Sequence, residues 1–400
     1  MTDIKEFVTE YIQREYTVPE DVDIMTLNYI EAGYIDSMAF IQFISTIEDE
    51  YDIEFEVEDI ENPKLRIVGK LIDFIQAKNS IKTVMRNIEG IKIVDATIRD
   101  GGLVNDFFFT DEFVKKVYET NVAAGVDYME FGYRADKKMF DPSKFGKWKF
   151  SSDEDIFSIV GDNPTGLKLC VMADVGRCDF KNDIHKKSDS PLSLIRVATY
   201  IETFSEAIEM IEFAAKQGYE VTCNLMAISK CTMMQLSKAL DALAQTPVMG
   251  VYIVDSYGAL YPKEVRKLTR HFQDHLSPYG KLTGIHAHNN QQCAFANTIE
   301  AHDLNAKMLD ATYYGMGRGA GNCHLEALLG YFNGKKYHVE PVLDLVGSDM
   351  LVMKDQEPTW GYNTSYLIAG LANAHPRDAI AATKKKDTNF VEQYKFQIYK

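Results

Sequence analysis

His286 and His288 are separated by a single residue. On an extended strand alternate side chains share a face, so both imidazoles can reach one point. Other chemically loaded residues gather in short clusters: Asp95-Ala96-Thr97-Ile98-Arg99-Asp100-Gly101-Gly102, Glu130 ahead of Tyr133-Arg134, Asp174 ahead of Arg177, Asp255-Ser256-Tyr257-Gly258, and a glycine-rich run from Gly315 to Asn322. A carboxylate from the first cluster, the two imidazoles and the amide oxygen of Asn322 would form a mixed nitrogen–oxygen set. Such a set suits Mn2+, Zn2+ or Mg2+ and leaves positions open for catalysis. The ion would take the 2-oxo and carboxylate oxygens of a 2-oxo acid, and Arg99 would balance the charge of an enolate. His-x-His alone also fits a half-exposed strand that binds nothing; its company makes the metal reading the stronger. The glycine run is no nucleotide loop, because it lacks the Gly-x-x-x-x-Gly-Lys-Ser/Thr pattern and no ribose-binding acid follows it in a βαβ unit.

Each cluster follows a short apolar run. Strands are expected at Ile91–Ala96, Tyr128–Gly132, Lys168–Met172, Leu194–Ala198, Glu220–Asn224, Gly250–Val254, Lys281–His286 and Met308–Tyr313. Amphipathic helical patterns such as Ser205–Gln217 and Thr232–Leu243 fill the gaps. Eight β/α repeats over about 230 residues predict a TIM barrel, whose chemistry sits at the C-terminal strand ends, where the clusters fall.

The first 80 residues have a different pattern. Ile4, Phe7, Val8, Tyr11 and Ile12 form a helical stripe. A second helix starts at Asp36–Ser37, with Phe40, Ile41, Ile44 and Ile47 expected inward. A short helix near 56–60 and a last one at Ile67–Lys78 complete a four-helix bundle. The net charge of −16 is concentrated here: residues 1–80 hold 19 acidic and 6 basic residues, a net of −13, which leaves −3 for the rest. Such a surface repels nucleic-acid phosphates and favours basic protein surfaces. The sequence also has no apolar run long enough for a membrane span and no basic-then-apolar leader. Its six scattered cysteines are as expected of free thiols in a reducing cytoplasm.

Gly33-Tyr34-Ile35-Asp36-Ser37-Met38 before an acidic helix resembles the attachment motif of acyl and peptidyl carrier proteins, with Met38 where Leu is usual. The resemblance implies that Ser37 carries a 4′-phosphopantetheine arm, added by a phosphopantetheinyl transferase and charged by an acyl- or aminoacyl-loading enzyme. A serine at a helix start also serves as an N-cap, but the positive helix N-terminus would equally suit the arm's phosphodiester.

The barrel half, over about residues 91–330, resembles the DRE-TIM metallolyases: isopropylmalate and homocitrate synthases, 3-hydroxy-3-methylglutaryl-CoA lyase and 4-hydroxy-2-oxovalerate aldolase. This implies Asp100, His286, His288 and Asn322 as ligands of one divalent metal, Arg99 as the enolate-stabilising arginine, and site roles for Glu130 and Asp255. Two features of that family are missing. Leu103 stands where the aldolases place a base histidine, and Met316-Gly317-Arg318 stands where the acyl-CoA lyases place a cysteine. The acid/base is therefore open among Tyr133, Asp174, Asp255 and His324.

The expected organisation is multidomain: an all-α carrier bundle (1–79), a linker (80–90), an α/β TIM barrel (91–330) and a helical C-terminal extension (331–400). The extension holds Trp360-Gly361-Tyr362 and the basic run Lys384-Lys385-Lys386. Helical tails often pair subunits in the metallolyase family that the barrel resembles, and the resemblance alone implies a homodimer. The function implied is metal-dependent making or breaking of a carbon–carbon bond, of Claisen or aldol type. It would join a carrier-bound acyl thioester and a small 2-oxo acid or aldehyde, with neither nucleic acid nor membrane as partner. The alternatives are a 4-hydroxy-2-oxo acid aldolase whose carrier only delivers or receives product, and a non-catalytic carrier scaffold.

Overall fold

The computed structural model describes residues 3–19, 21–51, 53–84, 88–356 and 359–399. The chain divides into two compact units, Met1–Asn87 and Ile88–Lys400.

The first unit contains α1 (Ile4–Tyr16), α2 (Ser37–Tyr51), α3 (Val57–Glu61) and α4 (Val68–Val84). Asp3 starts α1 by accepting the backbone N–H groups of Lys5 and Glu6, which no carbonyl of the helix can satisfy. The core joins Val8 and Ile12 of α1, Phe43, Ile44 and Ile47 of α2, and Leu71 and Ile75 of α4. Each such side chain contributes about 1.5–3 kcal/mol when fully buried. Ile41 does not join them and is 49% exposed, a correction to the expected inward set. The buried stripe is centred on Phe40, Ile44, Ile47 and Tyr51, and Phe43 falls nearer that line than Ile41. Helix α4 continues to Val84, into the expected linker, of which residues 85–87 lie outside the described residues.

In the second unit eight strands close a parallel barrel in sequence order. They are β1 (Lys92–Asp95), β2 (Tyr128–Tyr133), β3 (Lys168–Asp174), β4 (Leu194–Thr199), β5 (Glu220–Leu225), β6 (Gly250–Asp255), β7 (Leu282–Ala287) and β8 (Met308–Ala311). β1 pairs with β8 through the register Asp95↔Ala311, which brings the first cluster beside the last. The strands are buried on both faces, as a parallel barrel wrapped in helices requires. The helix Asp111–Ala124 illustrates the outer ring. Thr110 caps its start, its Phe113, Val114 and Val117 are buried, and Gly125, at φ +73°, ends it in a left-handed turn.

The barrel interior is layered. Val94, Tyr128, Cys170 and Leu194 form an apolar floor. Above it lie Glu130, Arg196 and Asp310, all at most 1% exposed. The Tyr252 ring lies 4.6 Å from the Arg196 guanidinium. Gly284 makes room for that ring, since a Cβ there would approach Tyr252 Cδ1 to 2.7 Å. The expected C-terminal extension is helical, with segments including Thr364–Leu371, Arg377–Lys384 and Phe390–Ile398, and it belongs to the same compact unit as the barrel. Among the described residues no helix is long and apolar enough to cross a membrane.

Candidate metal centre and carrier serine

Period-two alternation sorts the strand-end residues. His286 and His288 point into the barrel with ring centroids 5.1 Å apart, while Ile285 and Ala287 enter the surrounding apolar core. Asp95 faces the helices, where Asn121 Nδ2 donates to its Oδ2 at 2.7 Å. Asp100 reaches the interior because the chain turns into a short helix, Thr97–Gly101, after β1. One ligand atom from each of Asp100, His286 and His288 lies within 4.8 Å of the others, and all three residues are buried.

Asn322 closes the group from the loop after β8. It pairs with His288 in an isolated antiparallel bridge, and its Nδ2 donates to Asp100 Oδ2 (2.7 Å) and to the Met316 carbonyl (3.1 Å). Its Oδ1 is buried without a hydrogen-bond partner among the described residues. A buried acceptor left unpaired is costly, and a cation beside Asp100 would satisfy it. Gly317 lets this loop lie close, because a Cβ there would overlap Asn322 and the Asp100 carboxylate.

A chain of charge-assisted hydrogen bonds supports these residues. Arg99 donates to Asp100 Oδ1 (2.6 Å) and Glu130 Oε2 (2.8 Å). Arg196 donates to the same Glu130 oxygen (2.9 Å) and to Asp310 Oδ2 (2.6 Å). Asp310 Oδ2 lies 3.0 Å from His286 Nδ1, so an Nδ1–H tautomer donates to it and the Nε2 lone pair turns inward. Arg99 Nη2 is 3.5 Å from that Nε2. Burial opposes ionisation of Asp100, but Arg99 and the two imidazoles outweigh it and hold the carboxyl below the usual range. Burial pushes His288 down to about 3, so its imidazole is neutral, as coordination requires.

Arg99, Asp100, His286, His288, Tyr133 and Arg318 line a cavity of about 60 Å³. Leu103 also lies on its wall. Of the four acid/base candidates, the structure brings only Tyr133 to this cavity, and among the described residues its hydroxyl has no hydrogen-bond partner. Asp255 is not brought there. Its neighbours Val254 and Ser256 line the cavity, while its own oxygens accept the backbone N–H groups of Ala259 (3.0 Å) and Leu260 (3.1 Å). Glu130 lies beneath the cavity as a partner of two arginines, and His324 lines a different cavity. Sequence reasoning missed Arg196, Asp310 and Arg318. Arg196 and Asp310 were signalled by single charges inside apolar strands, Leu194–Thr199 and Met308–Ala311.

In the first unit, Asp36 rather than Ser37 caps α2, its Oδ1 accepting from Met38 N (3.0 Å) and Ala39 N (2.8 Å). Ser37 is exposed at the first helical position, which leaves its hydroxyl free of capping duty.

Comparison with known proteins matches both units. The HMGL-like family profile matches residues 90–346, and the phosphopantetheine attachment site profile matches residues 6–72. An oxaloacetate decarboxylase of Mycobacterium tuberculosis is 28% identical over 268 residues, 65% of this chain and 76% of that protein. A 4-hydroxy-2-oxovalerate aldolase of Bacillus cereus is 28% identical over 250 residues, 62% of this chain and 72% of that protein. Among solved structures, the N-terminal domain of a protein assigned as an aldolase in Bacteroides vulgatus superposes with a TM-score of 0.65. It is 26% identical, and the match covers 76% of this chain and 99% of that one.

Proposed function

The chain belongs to the HMGL-like family and carries a phosphopantetheine attachment domain, and we propose that it makes or breaks a carbon–carbon bond next to a carbonyl, using a divalent metal and an acyl thioester borne on Ser37. The observation that carries the proposal is the buried cluster of Asp100, His286 and His288 with the unpaired Asn322 oxygen at the mouth of the barrel. These four residues would hold the ion. When bound, it supplies Lewis-acid polarisation of a 2-oxo acid's oxygens. The protein's own residues do the rest. Arg99, fixed by Glu130 and Asp100, presents a guanidinium edge beside the ligands, where enolate charge would develop. Asp310 and Arg196 fix the orientation of His286. Tyr133, on the cavity wall, takes or returns the proton that Leu103 cannot.

The relatives' names, an oxaloacetate decarboxylase and a 4-hydroxy-2-oxovalerate aldolase, support a 2-oxo acid as one partner. They also favour a second reading, in which this chain cleaves or forms a free 4-hydroxy-2-oxo acid and the carrier only delivers or receives product. The Ser37→Ala variant separates the two. Full turnover of free substrates by that variant selects the second reading, and loss of turnover with metal binding intact selects the first. A scaffold role is disfavoured by the ion-pair chain, which stabilises this arrangement of ligands. The proposal includes a phosphopantetheinyl transferase and a loading enzyme as partners, and a homodimer as the assembly.

The metal claim is tested by elemental analysis after Mn2+, Mg2+ or Zn2+ is added and free ion removed. About one ion per chain is expected, with loss in His286→Ala. A folded wild type that takes up none of the three contradicts the proposal.

A further inference from the structure

A second cavity, of about 430 Å³, lies behind the metal-ligand loop and wholly within the second unit. It falls in the size range of small-molecule sites, whereas the 60 Å³ metal-side cavity has room only for a small head group. The two cavities share a wall. His288 and Arg318 line the metal side, and Asn289 and Ala320 line the other, with Asn289 N donating to Gly321 O at 2.7 Å to hold the segments together. The far wall is built by Lys354, Trp360 and Asn363. These residues lie beyond position 346, where the HMGL-like match ends.

The polar groups here show what the cavity can recognise. Asn289 Oδ1 is occupied by Ala294 N, and Asn363 Oδ1 by Ser365 N, so both carboxamides have their N–H2 groups left to donate. Gln292 donates through Nε2 to Asn289 O, which leaves its Oε1 to accept. Lys354 gives one bond to the Trp360 carbonyl, lies 4.5 Å from the Trp360 ring centroid, and keeps donors for a ligand. Tyr314, Trp360 and Tyr366 supply apolar faces, and among the described residues no carboxylate lines the cavity. Tyr314 is held at φ 52°, a left-handed conformation costly for a non-glycine residue and commonest at functional sites. The matching ligand has an anionic end, secondary amides that both accept and donate, and an apolar body. A metal ion would find no carboxylate among the described residues here, and a neutral sugar would leave the lysine unused.

We propose that this cavity is the seat of the 4′-phosphopantetheine arm, with Lys354 on its phosphate and Asn289, Asn363 and Gln292 on its two amides. The arm's chemistry has all three features: a phosphate, two amides and a gem-dimethyl body. The far wall lies outside the residues that the HMGL-like profile matches, 90–346, as does the carrier unit, whose attachment-site match spans residues 6–72. The inference rests on the reading that Ser37 bears the arm.

The test uses the full chain as Ser37→Ala, so that no arm of its own competes, titrated with free 4′-phosphopantetheine and followed by calorimetry and by tryptophan fluorescence. Saturable binding at or below about 1 mM is expected, because a tethered arm works at millimolar effective concentration. Pantetheine without the phosphate binds about tenfold more weakly, and Lys354→Met removes that difference. Asn363→Asp keeps the helix cap, replaces the donor with a negative charge, and also weakens binding about tenfold. Absence of saturation up to about 10 mM overturns the inference, as does inorganic phosphate binding equally well or indifference to both variants. Metal uptake by the same sample and arm addition to the wild type are measured separately. If both succeed while the titration fails, the seat alone is refuted. If the titration succeeds without metal uptake, the proposed chemistry is what falls.

Discussion

Replacing Arg196 with methionine removes the buried cation that joins Glu130 to Asp310. Arg196 is fully buried, as are both carboxylates, so neither can turn to water for compensation. Glu130 keeps Arg99 at 2.8 Å, whereas Asp310 keeps only the His286 ring, so Asp310 bears most of the loss. Breaking a buried pair costs about 3–5 kcal/mol. A ceiling comes from proton uptake: neutralising an ordinary aspartate at pH 7 costs about 4 kcal/mol, and a larger penalty would be relieved that way. The expected loss is therefore about 3–4 kcal/mol. Its pH dependence has a definite sign. In the wild type, burial works against ionisation of Asp310 but Arg196 and His286 hold its pKa below the ordinary value, so its contribution to stability is present above the unfolded pKa and lost as pH falls through the folded one. Without Arg196, burial outweighs the remaining His286 contact and raises that pKa, and the variant regains stability relative to wild type on acidification from pH 7 towards 5. Both tryptophans, Trp148 and Trp360, lie in the second unit, so fluorescence in urea follows that unit alone. A loss under about 1 kcal/mol, or a deficit equal at both pH values, refutes the reasoning.

Further predictions follow from the same contacts. Asn322→Ala should lower affinity for the divalent ion by at least tenfold while leaving the far-UV circular dichroism unchanged, as isothermal titration with Mn2+ would show. Ser37→Ala should abolish the mass gain given by a phosphopantetheinyl transferase with coenzyme A and leave the urea midpoint of the second unit unchanged. Burial pushes Asp255 up to about 6, so the folded state holds that proton more tightly, and its favourable contribution, complete below about pH 4, is lost as pH rises through 6. Relative to Asp255→Asn, the wild type should therefore lose about 2–3 kcal/mol between pH 4 and 7, measured by denaturant titration across that range.

The strands were legible because short apolar runs bounded by polar turns are a local property, and most boundaries fall within two residues of expectation. β8 stops early, at Ala311, because Tyr313 N turns to bond Thr97 Oγ1 at 2.9 Å. His286 and His288 were legible through strand alternation, and the same alternation removes Asp255 from the cavity, since it points opposite to Val254 and Ser256. The meeting of Arg196 with Asp310 and Glu130 was not legible, because it depends on closure of the barrel, which places residues 66 and 114 positions apart in hydrogen-bond range. The same holds for Lys354 and Trp360, whose position behind the ligand loop has no local sequence signal.

The most direct test of the central claim reads the mass of the arm itself. The wild type is loaded on Ser37 with a panel of acyl groups, given divalent metal and a panel of small 2-oxo acids and aldehydes, and analysed as intact protein. The account predicts that at least one pair changes the carbon skeleton of the cargo, with the change absent in chelator and in His286→Ala. Cargo left unaltered by every pair, on protein that is loaded and binds metal, contradicts it.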